Sequence, residues 1–246
     1  MNLHNIDNVI IPFDKRWNKI AISVSGGADS AYLAYLISAF VYHYERTDVE
    51  IHVISHTRMW KTRPWQSYDS KQVFDWLVNR FPDIKFIRHI NFIAPDLEWG
   101  NKGRILTDEY GKEVSGDNIQ QRSYAEYICY HHNIDAYYNA VTRNPKNVDF
   151  KGLSPRDVDP TEDNQHLVLM QHMDVWAIHP FRFTEKSWVI KQYREMGLMD
   201  LFELTRSCEG EFEGIDYKTY KPGQYVPVCG ECFWCKEREW ALNVQV

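Results

Sequence analysis

The stretch Ala21-Ile22-Ser23-Val24-Ser25-Gly26-Gly27-Ala28-Asp29-Ser30 decides the fold. An apolar, β-branched run, Ile20 to Val24, stops at two glycines. A run with helical spacing follows at once through Ala31, Leu33, Ala34, Leu36, Ile37 and Phe40. The pattern predicts a strand, a tight loop and a helix. Gly26 and Gly27 permit positive φ and a close approach of backbone to a ligand. The loop N–H groups and the helix N-terminus converge on one spot, and their partial positive charge suits an anion. Ser25 and Ser30 add hydroxyl donors. Asp29 puts a carboxylate beside that spot, which repels an anion unless a cation such as Mg²⁺ stands between them.

Outward from this loop the chain reads as alternating strands and helices. Residues 1–18 form a lead-in whose periodicity is broken at Pro12 and Asp14. Strands are expected over Lys19–Val24, Glu50–Ser55, Ile84–Ile90 and Asp135–Val141, with a short one over Val175–Ile178. Helices are expected over Ala28–Tyr44, Ser70–Phe81, Asp117–Asn133 and Thr184–Gly197, with Thr184 as N-cap and Gly197 as C-cap. His56–Ser67, Phe92–Gly116 and Thr142–Asn164 read as irregular, the second as a long loop or lid. The β-α-β-α-β order predicts an α/β fold with a Rossmann-like parallel sheet and right-handed crossovers. Ligands of such sheets bind beyond the carboxyl ends of the strands, where the glycine loop lies.

The 246 residues, 44% hydrophobic and 25% charged, suffice for a large core. The net charge of −6 argues against a broad nucleic-acid footprint. Met1 to Phe13 lacks the basic start and apolar run of a signal peptide, and no stretch is apolar enough to span a bilayer, so the cytoplasm is the expected compartment. Of five cysteines, Cys229, Cys232 and Cys235 form C-x2-C-x2-C and Cys208 precedes them. Two-residue spacers let consecutive thiolates turn onto one ion, and a distant fourth closes a tetrahedron. Zn²⁺ with four thiolates is the first choice, with an iron–sulfur cluster as its rival. The expected organisation is a body over residues 1–200 and a zinc-binding subdomain over 201–246. Cys129 sits apart on an aromatic helix face and reads as a small core residue.

The loop is not a Walker motif, because no Gly-Lys-Ser/Thr follows its glycines. It resembles the Ser-Gly-Gly-x-Asp-Ser pyrophosphate loop of the N-type ATP pyrophosphatases, the PP-loop superfamily. Together with the cysteines it resembles one branch of that superfamily, the 7-cyano-7-deazaguanine synthases (the QueC family), over roughly Lys19 to Arg238. Leu204-Thr205-Arg206-Ser207-Cys208 and Cys229-Gly230-Glu231-Cys232-Phe233-Trp234-Cys235-Lys236-Glu237-Arg238 match that family's C-terminal pattern. His179-Pro180-Phe181-Arg182-Phe183-Thr184-Glu185-Lys186 matches the stretch before it. Gln121-Arg122-Ser123 stands where the family has Gly-Arg-Asn. Asp149-Phe150-Lys151-Gly152-Leu153-Ser154-Pro155, then Arg156, stands where the family has its substrate loop.

The resemblance implies a HUP-type fold of the adenine nucleotide alpha hydrolase kind. It implies ATP held by Ser23, Ser25, Gly26, Gly27, Ala28, Asp29 and Ser30, with Mg²⁺. It also implies catalytic roles for Asp29, Lys186 and Arg122. The substrates implied are 7-carboxy-7-deazaguanine and ammonia. Asp149, Phe150, Arg122 and Arg156 would bind the deazaguanine, Asp149 at its amine and Phe150 against its ring. Adenylation of the carboxylate, amide formation, a second adenylation and elimination would give the nitrile. The chain departs from the family at Gln121 and Ser123 and in a substrate loop one residue shorter before Arg156. Those departures lie at the acceptor end and point to a second outcome, transfer of the activated carboxyl to an amine on a partner protein. A homodimer fits the aromatic excess and the family analogy. Two further readings stand beside these. A PP-loop tRNA thiolase would need reactive cysteines near the ATP site and a basic RNA surface. A nucleotide- and zinc-binding module without turnover would need only the loop and the knuckle.

Overall fold

The computed structural model describes residues 1–58, 64–93, 105–107, 113–146, 148, 150, 167–210 and 219–244. The chain opens not on an irregular lead-in but on a hairpin, β1 (Asn2–Ile6) and β2 (Val9–Phe13). Asp7 and Asn8 turn it with φ of 47° and 68°, as a two-residue loop between twisted strands requires. Pro12 is accommodated because the hairpin is a separate two-stranded sheet with open edges. The hairpin lies against the first long helix, with the His4 ring stacked on Phe40 at 3.9 Å.

The body is a six-stranded sheet. β3 (Lys19–Ser23) pairs in parallel with β4 (Glu50–Arg58), which pairs in parallel with β5 (Lys85–Ile93). The helices α1 (Ala28–His43) and α2 (Gln66–Arg80) make the crossovers. A short hairpin of β6 (Ile105–Thr107) and β7 (Glu113–Ser115) falls in the stretch expected to be irregular, and α3 (Gly116–His132) follows it. β8 (Ala136–Tyr138) then pairs with the other side of β3. Beyond it lie β10 (Val175–Ile178), parallel, and β9 (Leu167–Met170), antiparallel to β10 and unforeseen in the sequence. The order β5-β4-β3-β8-β10-β9 reverses direction between β3 and β8. A parallel sheet offers its ligand crevice at the carboxyl ends of strands flanking such a reversal. The glycine loop leaves β3 there.

The two faces of the sheet differ. Ile20 and Ile22 of β3 join the larger core with α1, while Ala21 joins Ile54, Ala125, Ile128 and Cys129 beneath α3. Helix α1 is buried on several sides, which explains why its sequence is apolar well beyond one stripe. The remaining helices are α4 (Lys186–Glu195), α5 (Met199–Glu203) and α6 (Phe233–Asn243). Helix α4 starts one residue later than expected, with Glu185 rather than Thr184 at the N-cap. The Thr184 N–H instead donates to Phe181 O. The helix ends at Glu195 with Met196 as its C-cap, one residue before the expected Gly197, which follows at φ 67° as the left-handed residue. The Leu198 N–H donates to Tyr193 O and the Gly197 N–H to Arg194 O. Among the described residues no helix is long and apolar enough to cross a membrane.

Candidate active site and cysteine knuckle

The loop between β3 and α1 is braced by its own side chains. The Ser25 N–H donates to Ser30 Oγ at 3.1 Å, Ser30 Oγ–H donates to Gly27 O at 3.1 Å, and the Gly27 N–H reaches Ser25 Oγ at 3.3 Å. The two serine hydroxyls are 3.2 Å apart. They hold the loop's shape instead of projecting from it. Gly26 has φ 84°, and a Cβ there would stand 2.9 Å from Ser70 N, in the first turns of α2. Its glycine therefore serves helix packing as well as the turn. Helix α1 begins at Ala28 with no side-chain cap, so its first N–H groups have no partner from within the helix.

Asp29 sits on that first turn. Its Oδ2 is 3.1 Å from Lys186 Nζ and 3.5 Å from Thr142 Oγ1. Its Oδ1 is buried and has no hydrogen-bond partner. Lys186, 2% exposed at the start of α4, spans from Asp29 to Glu237 Oε2 at 2.9 Å. Glu237 is fully buried on α6. Asp29 and Lys186 are candidates from the sequence; Glu237 is not, standing there only within the matched stretch Cys229–Arg238. Arg238 beside it donates to Thr205 Oγ1 at 2.8 Å and covers the Phe202 ring, and burial lowers its pKa. The Tyr193 hydroxyl donates to Ala28 O at 2.8 Å, tying α4 to the loop.

The segment before the first cysteine runs alongside the same loop. The Arg206 N–H donates to Gly26 O at 2.8 Å, and its guanidinium covers Trp65 at 4.4 Å. Ser207 Oγ is buried without a partner, 3.7 Å from where a Cβ on Gly27 would be. Asp69, another neighbour of Gly26, is pushed up to about 6 by burial, with Arg206 pulling the other way. Thr142, Arg206, Ser207 and Asp69 come from three distant segments, so no spacing in the sequence joins them to the loop.

The four cysteines Cys208, Cys229, Cys232 and Cys235 bring their sulfurs within 4.8 Å of one another. Cys208 Sγ is 3.6 Å from Cys229 Sγ, which is 3.8 Å from Cys235 Sγ. The N–H groups of Gly210 and Cys229 point at Cys208 Sγ, and that of Cys232 at Cys229 Sγ. Such donors stabilise thiolates. Hydrogen bonds from Cys232 and Cys235 hold the Cys208 thiol well below the usual thiol range, while the bond to Cys208 raises Cys235. A Cβ on Gly210 would fall 2.6 Å from Cys229 Sγ, so only glycine leaves room for the cluster. Gly230, φ 74°, makes the turn between the first two cysteines of the triplet. Four converging sulfurs of this kind can bind a metal ion. Cys129 lies apart, buried on the inner face of α3, its thiol pushed up to about 12 by burial.

The other expected site residues fall elsewhere. Arg122 is exposed on α3 and pairs with Glu126 at 2.8 Å; no described contact brings it to Lys186. The Phe150 ring meets Phe233 edge-on at 5.4 Å, which sets it against α6. Asp149 and Arg156 lie outside the described residues. A cleft of about 410 Å³ opens between the β1–β2 turn and the start of α4, lined by Asp7, Arg143, Glu185 and Trp188 among others, and no loop residue borders it.

No protein-family model matches the chain, and no curated protein sequence does. Among solved structures, the chain is similar to the U34-tRNA thiolase NcsA from Methanococcus maripaludis, solved with its 4Fe–4S cluster. That match has 11% identity and a TM-score of 0.42, over 92% of this chain and 72% of that one. It is also similar to NAD⁺ synthetase from Burkholderia pseudomallei, at 13% identity and TM-score 0.40, over 82% and 71% of the two chains. A third is phosphoadenylyl-sulfate reductase from Candida auris in its phosphate complex, at 11% identity and TM-score 0.35, over 79% and 82%.

Proposed function

We propose that the protein is a PP-loop ligase that cleaves ATP between its α- and β-phosphates, activates a carboxylate as the adenylate and passes the acyl group to nitrogen. The observation that supports this reading most is at the first turn of α1. There an uncapped helix N-terminus meets a carboxylate with one oxygen on Lys186 and the other buried without a partner. The N–H groups suit phosphate, and Asp29 Oδ1 suits a divalent cation. Mg²⁺ held there supplies neutralising charge to the phosphates. The chain's own groups do the rest. Ser25 and Ser30 keep the loop in shape before any ligand arrives, so its donors need little rearrangement. Lys186, fixed between Asp29 and Glu237, holds a positive charge beside the loop, where negative charge accumulates as pyrophosphate departs.

The substrate we assign is 7-carboxy-7-deazaguanine. Its carboxylate oxygen attacks the α-phosphorus and pyrophosphate leaves. Ammonia attacks the acyl carbon, AMP leaves with the C–O bond electrons, and a proton is lost to give the amide. Adenylation of the amide oxygen by a second ATP releases pyrophosphate and one N–H proton, and elimination of AMP with the second N–H proton gives the nitrile. The likeness at Leu204–Cys208 and Cys229–Arg238 supports this choice. Gln121, Ser123 and the shorter segment before Arg156 favour a second reading at the acceptor, an amine on a partner protein in place of ammonia. Cys208, Cys229, Cys232 and Cys235 would hold Zn²⁺ with no position left open, as a structural centre. Incubation with ATP, Mg²⁺, 7-carboxy-7-deazaguanine and ammonium, read by mass spectrometry, tests the assignment. Amide or nitrile with AMP is the expected product, and ATP left intact with every candidate carboxylate contradicts it.

A further inference from the structure

On the face of the sheet that α3 covers, three histidines meet. His52 is the third residue of β4. His89 is on β5, where it pairs with Ile54, so it stands diagonally from His52 on the same face. His132 closes the last turn of α3. One ring nitrogen from each lies within 4.8 Å of the other two. His52 Nδ1 and His89 Nε2 are 2.9 Å apart, and the His132 ring centroid is 4.9 Å from both of theirs. His52 is fully buried, whereas the other two are half-buried and leave the cluster a side toward solvent.

Apolar side chains would be the ordinary filling here, as at neighbouring Ile54. Burying imidazoles together costs free energy unless a shared proton or ion offsets it. His52 Nδ1 and His89 Nε2 stand at hydrogen-bond distance, sharing one proton where an ion could replace it. His52 Nε2 is buried and makes no hydrogen bond, and it faces Glu50 Oε2 at 3.5 Å. A carboxylate behind one ring nitrogen, with the other nitrogen turned to a shared centre, is the arrangement that orients metal-bound histidine. The rings are also kept in the form a metal needs. Burial and the neighbouring imidazoles lower the pKa of His52 to about 4, and burial lowers that of His89.

We propose that His52, His89 and His132 form a second metal site, separate from the cysteines, for a divalent transition-metal cation of the zinc class. Three neutral imidazoles with an open solvent side are the donor set of a four-coordinate ion that keeps one water. Glu50 is its orienting carboxylate. The ion would fasten the end of α3 to β4 and β5, on the opposite face of the sheet from α1.

The test uses the full chain without a polyhistidine tag, stripped of divalent metal and equilibrated with Co²⁺. Wild type is compared with His132→Gln by elemental analysis and absorption. The variant should bind one equivalent less cobalt than wild type, with any thiolate-to-cobalt bands from the cysteines unchanged. Equal cobalt in the two proteins overturns the site. Glu50→Gln should weaken binding at the histidines by about 10–100-fold. Wild type alone gives an independent readout should the variants fold poorly. In long-range ¹H–¹⁵N spectra the ring nitrogens of His52, His89 and His132 should shift together on adding Zn²⁺, and rings that do not respond refute the proposal.

Discussion

The glycine loop and the cysteine knuckle are built on opposite plans. The loop is a backbone device. Its donors are peptide N–H groups, its shape is kept by two serines, and its one carboxylate is shared with a lysine. The knuckle is a side-chain device in which sulfurs converge and peptide N–H groups only support them. They nevertheless depend on one helix. Cys235 and Glu237 are two residues apart on α6; one belongs to the cluster and the other reaches Lys186 and through it Asp29. Order in the first turn of α6 therefore bears on both regions, because the turn that carries Cys235 also sets the buried carboxylate behind Lys186.

The strongest way to break this coupling is at Gly210. Gly210→Ala drives a methyl into Cys229 Sγ and should empty the metal site proposed at the four cysteines; loss of a structural metal there would belong with the rare changes costing about 4–5 kcal/mol or more. Denaturant unfolding with elemental analysis measures it. AMP formation should fall in parallel if α6 joins the two regions, and a variant without metal that keeps full turnover would separate them.

Asp29→Asn attacks the loop alone. It removes the charge that faces Lys186 and would face the proposed cation, and turnover should drop by about 10²–10³-fold, the scale on which one preorganised electrostatic group acts. Metal content at the cysteines should stay unchanged in the same preparation.

Glu237→Gln lies on the connection itself. Lys186 keeps Asp29 but loses a fully buried ionic partner, which should cost about 1–3 kcal/mol of stability. Retained metal with reduced AMP formation would identify Glu237 as a positioning residue, and turnover equal to wild type would remove it from the account.

Asp69 gives a pH test of the loop's surroundings. Its folded pKa of about 6 lies above the ordinary 3.8, so its contribution favours folding below pH 4 and is lost as pH rises through 6. Asp69→Asn should therefore stabilise the protein at pH 7.5, by about 1–3 kcal/mol, and leave it near wild type at pH 4. Smallest of all, Cys129→Ala should change neither metal content nor turnover, since its thiol is buried and pushed up to about 12.

What could be read from the sequence follows the same division. Ser25 to Ser30 is contiguous, so its strand–loop–helix context was legible, as was the C-x2-C-x2-C turn at Gly230. The parallel order β3-β4-β5 was legible from alternating apolar runs. The opening hairpin was not, because Pro12 in a strand reads as a break until the strand is known to be an edge. β9 was not, because Leu167–Met170 is a short apolar run at the end of a long polar stretch. Glu237, Asp69 and the three histidines were hidden for another reason. Each acquires its role only from a partner on another element, and burial of a charged or polar side chain leaves no periodic trace. Lys186 lies beside the loop through one carboxylate that the motif contains, Asp29, and one that only the fold supplies, Glu237.

Isotope transfer reads directly whether a carboxylate is activated with ATP, the role proposed for the glycine loop. 7-Carboxy-7-deazaguanine labelled with ¹⁸O in its carboxylate is incubated with ATP, Mg²⁺ and ammonium, and the nucleotide product is weighed by mass spectrometry. Attack of the carboxylate oxygen on the α-phosphorus must leave one ¹⁸O in AMP when the acyl group departs. AMP carrying that label is the predicted result. Formation of ADP, or of AMP without label, would contradict the account.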